Sequence, residues 1–163
     1  MAKREILILG NEKLYEVSRA LFIDAREEAK RVAEDLEDTL DAFRMEKGFG
    51  RAIAAPQIGA SVRMIFMKLD GLTRVFVNPC MEVLDRETFE LWDDCMSLPG
   101  LEVRVLRYRS IRVTYRDLDW KIQSEIFEGD LSELFQHEFD HLNGVLAIQR
   151  AIDMQAFRMQ AAE

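Results

Sequence analysis

Gln136-His137-Glu138-Phe139-Asp140-His141-Leu142 holds both histidines of the chain. Its core is the pattern H-E-x-x-H. On a helix, positions four apart lie on one face. His137 and His141 can therefore reach one metal ion, with Glu138 beside the first of them to move protons. The surrounding residues read as a helix over Leu131–Leu142. Asp130 is the expected N-cap, Glu133 completes a capping box, and Asn143-Gly144 forms the stop signal.

Two imidazoles leave a ligand to be found. Zinc peptidases of this pattern take a third histidine or glutamate downstream. Beyond His141 the only acids are Asp153 and Glu163, neither suited to that position. A thiolate upstream is the remaining soft donor. Cys80 closes the apolar run Phe76-Val77-Asn78-Pro79 and reads as a small buried residue. Cys95 lies in Trp92-Asp93-Asp94-Cys95-Met96-Ser97, where a strand opens into a turn. A Cys95-His137-His141 set leaves a fourth position open for water, the layout of a catalytic rather than a structural site.

Farther from the motif, apolar residues at Ala25, Ala29, Val32, Leu36, Leu40 and Phe43 predict a core-packing helix over Ile23–Met45 with an acidic, solvated outer face. Ile6–Leu9 reads as a short strand. A break at Lys47-Gly48-Phe49-Gly50 is a flexible turn and lacks the Lys-Ser/Thr of a phosphate loop. Short β-type runs follow at Val62–Met67, Arg74–Val77, Met81–Leu84, Thr88–Trp92, Glu102–Leu106 and Ser110–Tyr115. A hairpin turn at 117–120 leads into Lys121–Phe127. Met154–Met159 suggests a last turn or two of helix. The order predicts an α+β fold: an N-terminal helix, then mostly antiparallel strands wrapped around the motif helix.

The chain has 163 residues, 48% of them hydrophobic, and reads as one domain over 1–163. A net charge of −8 argues against affinity for nucleic acid or an anionic membrane. No export signal or membrane span is apparent, so Cys80 and Cys95 are expected as reduced thiols in a cytoplasmic protein.

Three segments occur in a recognisable order. Gly50-Arg51-Ala52-Ile53-Ala54-Ala55-Pro56-Gln57 resembles G-x-G-x-A-A-P-Q, Asp93-Asp94-Cys95-Met96-Ser97 resembles E-G-C-x-S, and the motif helix resembles Q-H-E-x-D-H-L. Together they resemble the peptide deformylase family, from the N-terminal strand to about Arg150. The chain departs from the pattern at Ala52, where a second glycine is usual, and at Arg51, where a small aliphatic residue is common. Asp94 replaces the glycine before the cysteine, and Asp93 is one methylene shorter than the usual glutamate.

The resemblance implies metal-dependent hydrolysis of the formyl group from N-terminal formyl-methionine of peptides, nascent chains among them, with release of formate. It implies one divalent ion on Cys95, His137 and His141, Fe²⁺ natively, with Zn²⁺, Ni²⁺ or Co²⁺ as other occupants. Glu138 would be the proton carrier, and the Gln57 amide and Met96 backbone N–H the oxyanion donors. Gly50, Arg51, Ala52 and Ile53 would meet the substrate. Two alternatives remain open on these residues: an amidase for another N-formylated amine, and a catalytically silent metal-binding homologue. Asp140 reads either as a group orienting a ligand imidazole or as a solvent-facing acid. Arg107 and Arg109, with Arg104 nearby, read as a solvated face.

Overall fold

The structure, a computed structural model, describes residues 2–161. Met1, Ala162 and Glu163 lie outside the described residues, so the reading of Glu163 and the ends of the 1–163 domain expectation have no structural counterpart. Helix α1 spans Arg26–Lys47, and helix α2 spans Asp130–Leu142. Strands β1 (Ala52–Ala54), β2 (Met64–Leu69), β3 (Leu72–Asp94), β4 (Leu101–Arg116) and β5 (Ile122–Glu128) pair antiparallel in that order, and β6 (Phe157–Met159) pairs with β4. The helix-plus-antiparallel-strand expectation holds.

β2 shows why the elements pack as they do. Side chains alternate between faces along a strand. Met64 and Phe66 join Ala29, Ala33, Leu36 and Leu40 of α1, while Ile65 and Met67 join Phe135 and Leu142 of α2. A strand covered on both faces is apolar throughout, as Met64–Met67 is. On the α2 side, Phe76 anchors an aromatic cluster, its ring centroid 4.5 Å from Tyr115 and 5.3 Å from Phe135. α2 is buried along most of its length, so its polar residues must find partners inside the protein.

Several boundaries move. The three runs between Arg74 and Trp92 are one strand, β3, and the two between Glu102 and Tyr115 are one strand, β4. Their register shifts between Val77 and Cys80, between Val83 and Asp85, and between Asp85 and Thr88, which breaks the alternation that a sequence pattern relies on. The first shift follows Asn78, at φ 49°, and Pro79, which has no N–H for the ladder. Beyond it Cys80 is exposed, not buried as expected. The tail forms strand β6 rather than a helix. It covers the far end of the stretch of β4 beyond β5, where backbone groups would otherwise lack partners.

Ile6–Leu9 lies outside the sheet, with Leu9 opening a turn. Leu7 N–H donates to Gln57 O at 2.7 Å, and Leu9 N–H donates to Ser97 O at 2.9 Å. The segment thus straps together the two loops that flank the motif helix. Gly129, at φ 58°, is the N-cap of α2, and Asp130 is the first helical residue. Glu133 makes no capping box because its carboxylate accepts a charge-assisted hydrogen bond from Arg51 instead.

After α2 the chain turns at Gly144, whose φ is +70° and where a Cβ would lie 2.3 Å from Tyr15 O. Both the backbone conformation and the contact demand glycine. Gly144→Ala is expected to destabilise the protein by about 2–4 kcal/mol, read as a lowered midpoint of chemical denaturation.

Candidate metal centre

The donor atoms of Cys95, His137 and His141 lie within 4.8 Å of one another. Cys95 Sγ is 3.4 Å from His141 Nε2. Cys95 comes from the turn after β3, where Ser97 N–H donates to its sulfur at 3.4 Å. The histidines come from one face of α2, their rings 5.0 Å apart. Gln136 fixes the position of that helix. Its Oε1 accepts from Tyr108 N–H at 3.0 Å, and its Nε2 donates to Tyr108 O at 2.8 Å.

Asp93 orients the first imidazole. Its Oδ2 is 2.7 Å from His137 Nδ1, so that nitrogen donates and the Nε2 lone pair is left for a cation. Arg107 supports Asp93 from behind, with NH2 on Asp93 Oδ2 at 3.2 Å and NH1 on Asp140 Oδ2 at 2.7 Å. Arg150 closes the chain on Asp140 Oδ1 at 3.0 Å. Arg107 is only 4% exposed, which corrects the expectation of a solvated residue. It continues the inward alternation of Val103 and Val105 on β4, and two acids await it there. Arg109 and Arg104 are on the surface, paired with Glu87 and Glu90. Asp140 neither touches an imidazole nor faces solvent; it is buried between two arginines.

The local charges follow from these contacts. Burial opposes a charged His137, but the Asp93 carboxylate and the Cys95 sulfur outweigh it and raise the ring well above its ordinary value. Burial and the neighbouring His137 push His141 well below its ordinary value, which keeps it a neutral donor. Burial raises the Glu138 carboxyl to about 7. Glu138 Oε2 and His141 Nδ1 are buried without a hydrogen-bond partner among the described residues. Two imidazole nitrogens and a thiol converging on one point, with a buried acid beside them, suit a single divalent first-row ion.

A cavity of about 360 Å³ opens on this point. Gly50, Arg51, Ala52, Gln57, Met96 and Glu138 all line it. Ile53 does not: its side chain is fully buried in the α1 cluster, because alternation along β1 turns it away while Ala52 and Ala54 face α2. The Gln57 amide is oriented by Ala54 N–H, which donates to Oε1 at 2.9 Å, and its Nε2 points at Cys95 Sγ, 3.6 Å away, and Ser97 Oγ, 3.2 Å away. The Met96 backbone N–H makes no hydrogen bond among the described residues. Sequence reasoning missed Asp93 as the partner of His137, as well as Arg107 and Leu134. The acid two residues before Cys95 was the available signal for the first.

A thiol, two imidazoles and a buried glutamate at the floor of an open cavity define a metal-dependent hydrolase. The sequence profile of polypeptide deformylase matches residues 3–157, and the chain belongs to the peptide deformylase family. It is 33% identical to peptide deformylase 2 of Ralstonia nicotianae, over 94% of this chain and 90% of that protein. It is 34% identical to the peptide deformylase of Rhodopseudomonas palustris, over 91% of this chain and 85% of that one. The crystal structure of peptide deformylase from Thermotoga maritima superposes with a TM-score of 0.85 at 30% identity, covering 94% of this chain and all of that one. The Synechococcus elongatus enzyme in complex with actinonin gives a TM-score of 0.79 at 27% identity, over 94% and 82% of the two chains. Members of this family bind a divalent metal ion, and the Cys95-His137-His141 cluster is where this chain brings suitable donors together.

Asp93→Ala leaves the His137 ring without its acceptor. The expected result is a metal affinity lower by about 10–100-fold, measured by competition with a chromophoric chelator.

Proposed function

We propose that the protein removes the formyl group from N-terminal formyl-methionine of peptides, nascent chains included, and releases formate. Cys95, His137 and His141 hold the metal, with Fe²⁺ as the native ion. Such an ion, when bound, polarises a carbonyl and makes a bound water acidic near neutral pH. The observation that carries this reading is the placement of Glu138, buried, unpartnered at Oε2 and held near neutrality, beside the three donors and at the floor of the cavity. A carboxyl of that kind can accept a proton from water and return it to a leaving amine.

The remaining roles belong to groups that line the cavity. The Gln57 Nε2 and the free Met96 N–H serve the negative charge that develops on the formyl oxygen. Gly50, Arg51 and Ala52 form one wall, against which the peptide lies. The two free cysteines and the acidic net charge support a cytoplasmic protein that does not bind nucleic acid directly. Among the described residues no helix is long and apolar enough to cross a membrane.

Formate release from formyl-Met-Ala-Ser by anaerobically prepared, metal-loaded protein tests the reading; no release at full metal occupancy overturns it. Glu138→Ala is expected to lower kcat/KM by about 10²–10⁴-fold with metal content unchanged by elemental analysis. Gln57→Ala removes one of two oxyanion donors, with an expected loss of about 10²–10³ in kcat and little change in metal content.

A further inference from the structure

The wall of the cavity carries an ion pair. Arg51 NH2 donates to Glu133 Oε1 at 2.7 Å. The Glu133 side chain is 6% exposed, and Arg51 is its one side-chain partner among the described residues. Burying a carboxylate is costly, and burial raises its pKa even with the guanidinium beside it. Only one nitrogen of Arg51 is committed to Glu133. Nε and NH1 have no partner among the described residues, and the side chain remains 42% exposed on the cavity wall. Glu133 thus fixes one edge of a planar fork and leaves its other donors toward the space the substrate enters.

Resting on the deformylase reading, we propose that Arg51, clamped by Glu133, is a specificity-determining residue: the cavity selects formylated peptides whose first side chain carries a hydrogen-bond acceptor over those whose first side chain is purely aliphatic. A substrate side chain that covers the guanidinium displaces water from its free N–H groups. An acceptor replaces that water, whereas a hydrocarbon leaves the donors unpaired. Asp94, which lines the same cavity and interacts electrostatically with Arg51, opposes a second negative charge there. A neutral amide therefore fits better than a carboxylate. The thioether of methionine, a weak acceptor, falls between the amide and the hydrocarbon.

The test compares kcat/KM of the metal-loaded protein for formyl-Gln-Ala-Ser, formyl-Glu-Ala-Ser, formyl-Met-Ala-Ser and formyl-norleucyl-Ala-Ser. Glutamine and norleucine are close in length, so their ratio isolates the acceptor. Glutamine is expected to exceed norleucine by about tenfold, and Arg51→Leu/Glu133→Leu, an aliphatic wall, is expected to bring the ratio to one or below. A structural staple between the loop at Arg51 and α2 would change stability in that variant and leave the ratio alone. If the double variant does not fold, Arg51→Met/Glu133→Gln removes the guanidinium donors, leaves no unpaired charge at position 133 and serves the same comparison. Equal or better turnover of norleucine by the unaltered protein overturns the proposal and leaves the deformylase reading standing, as does a ratio that survives the substitutions. Absence of formate from all four peptides overturns the deformylase reading instead. The proposal is then decided by calorimetric affinities of Gln-Ala-Ser and norleucyl-Ala-Ser for the same protein: tighter binding of the glutamine peptide supports it, and equal or weaker binding overturns it.

Discussion

The guanidinium of Arg107 is the interaction on which the centre rests. It lies between Asp93 and Asp140, almost out of contact with water, and joins the end of β3, the middle of β4 and helix α2. Without it, two carboxylates would face each other in a low-dielectric interior, and each would take up a proton or draw in water. With it, Asp93 stays ionised: burial acts to raise its pKa, but His137 and Arg107 hold it below the ordinary carboxylate value. The orientation of His137 is therefore inherited from an arginine that touches neither the cavity nor any candidate ligand. Arg150 extends the same alternation of charge to the surface, so each buried ion has an opposite neighbour.

The other half of the centre is held by backbone. The N-terminal segment bonds to Gln57 O through Leu7 and to Ser97 O through Leu9. Those residues belong to the two loops whose side chains meet at Cys95. Gln57 and Ser97 are also bonded to each other, so a strap and a side-chain bridge fix the same spacing twice. Polar groups that must sit near a thiol are thereby positioned by backbone contacts and paired side chains.

The motif helix, the long N-terminal helix and the antiparallel class were legible because each has a local cause: i, i+4 spacing, an apolar stripe, or alternating strands. Cys95, His137 and His141 were legible because the chain has so few alternatives to offer. For Arg107 charge predicts exposure, but its place in the Val103-Val105-Arg107 alternation turns it inward. Cys80 was misread because Asn78 and Pro79 shift the register just before it. Glu133 was read as a cap because its spacing from Asp130 suits one, and only the fold brings Arg51 within reach, 82 residues away. Contacts between distant segments leave no periodic trace, which is why the partners of the site were harder to find than its donors.

The three residues of β6 are exposed and make little core, yet their position on β4 has a bearing on how the chain behaves in company. They cover Leu101–Val103, the far end of the length of that strand which β5 does not reach. A form of the protein cut short before Phe157 would offer bare amide and carbonyl groups and uncover the Trp92 ring on which Arg158 lies, and a neighbouring copy could zip onto them. The modest last strand is in this sense a guard against self-association, and clipping it would first be felt in solubility.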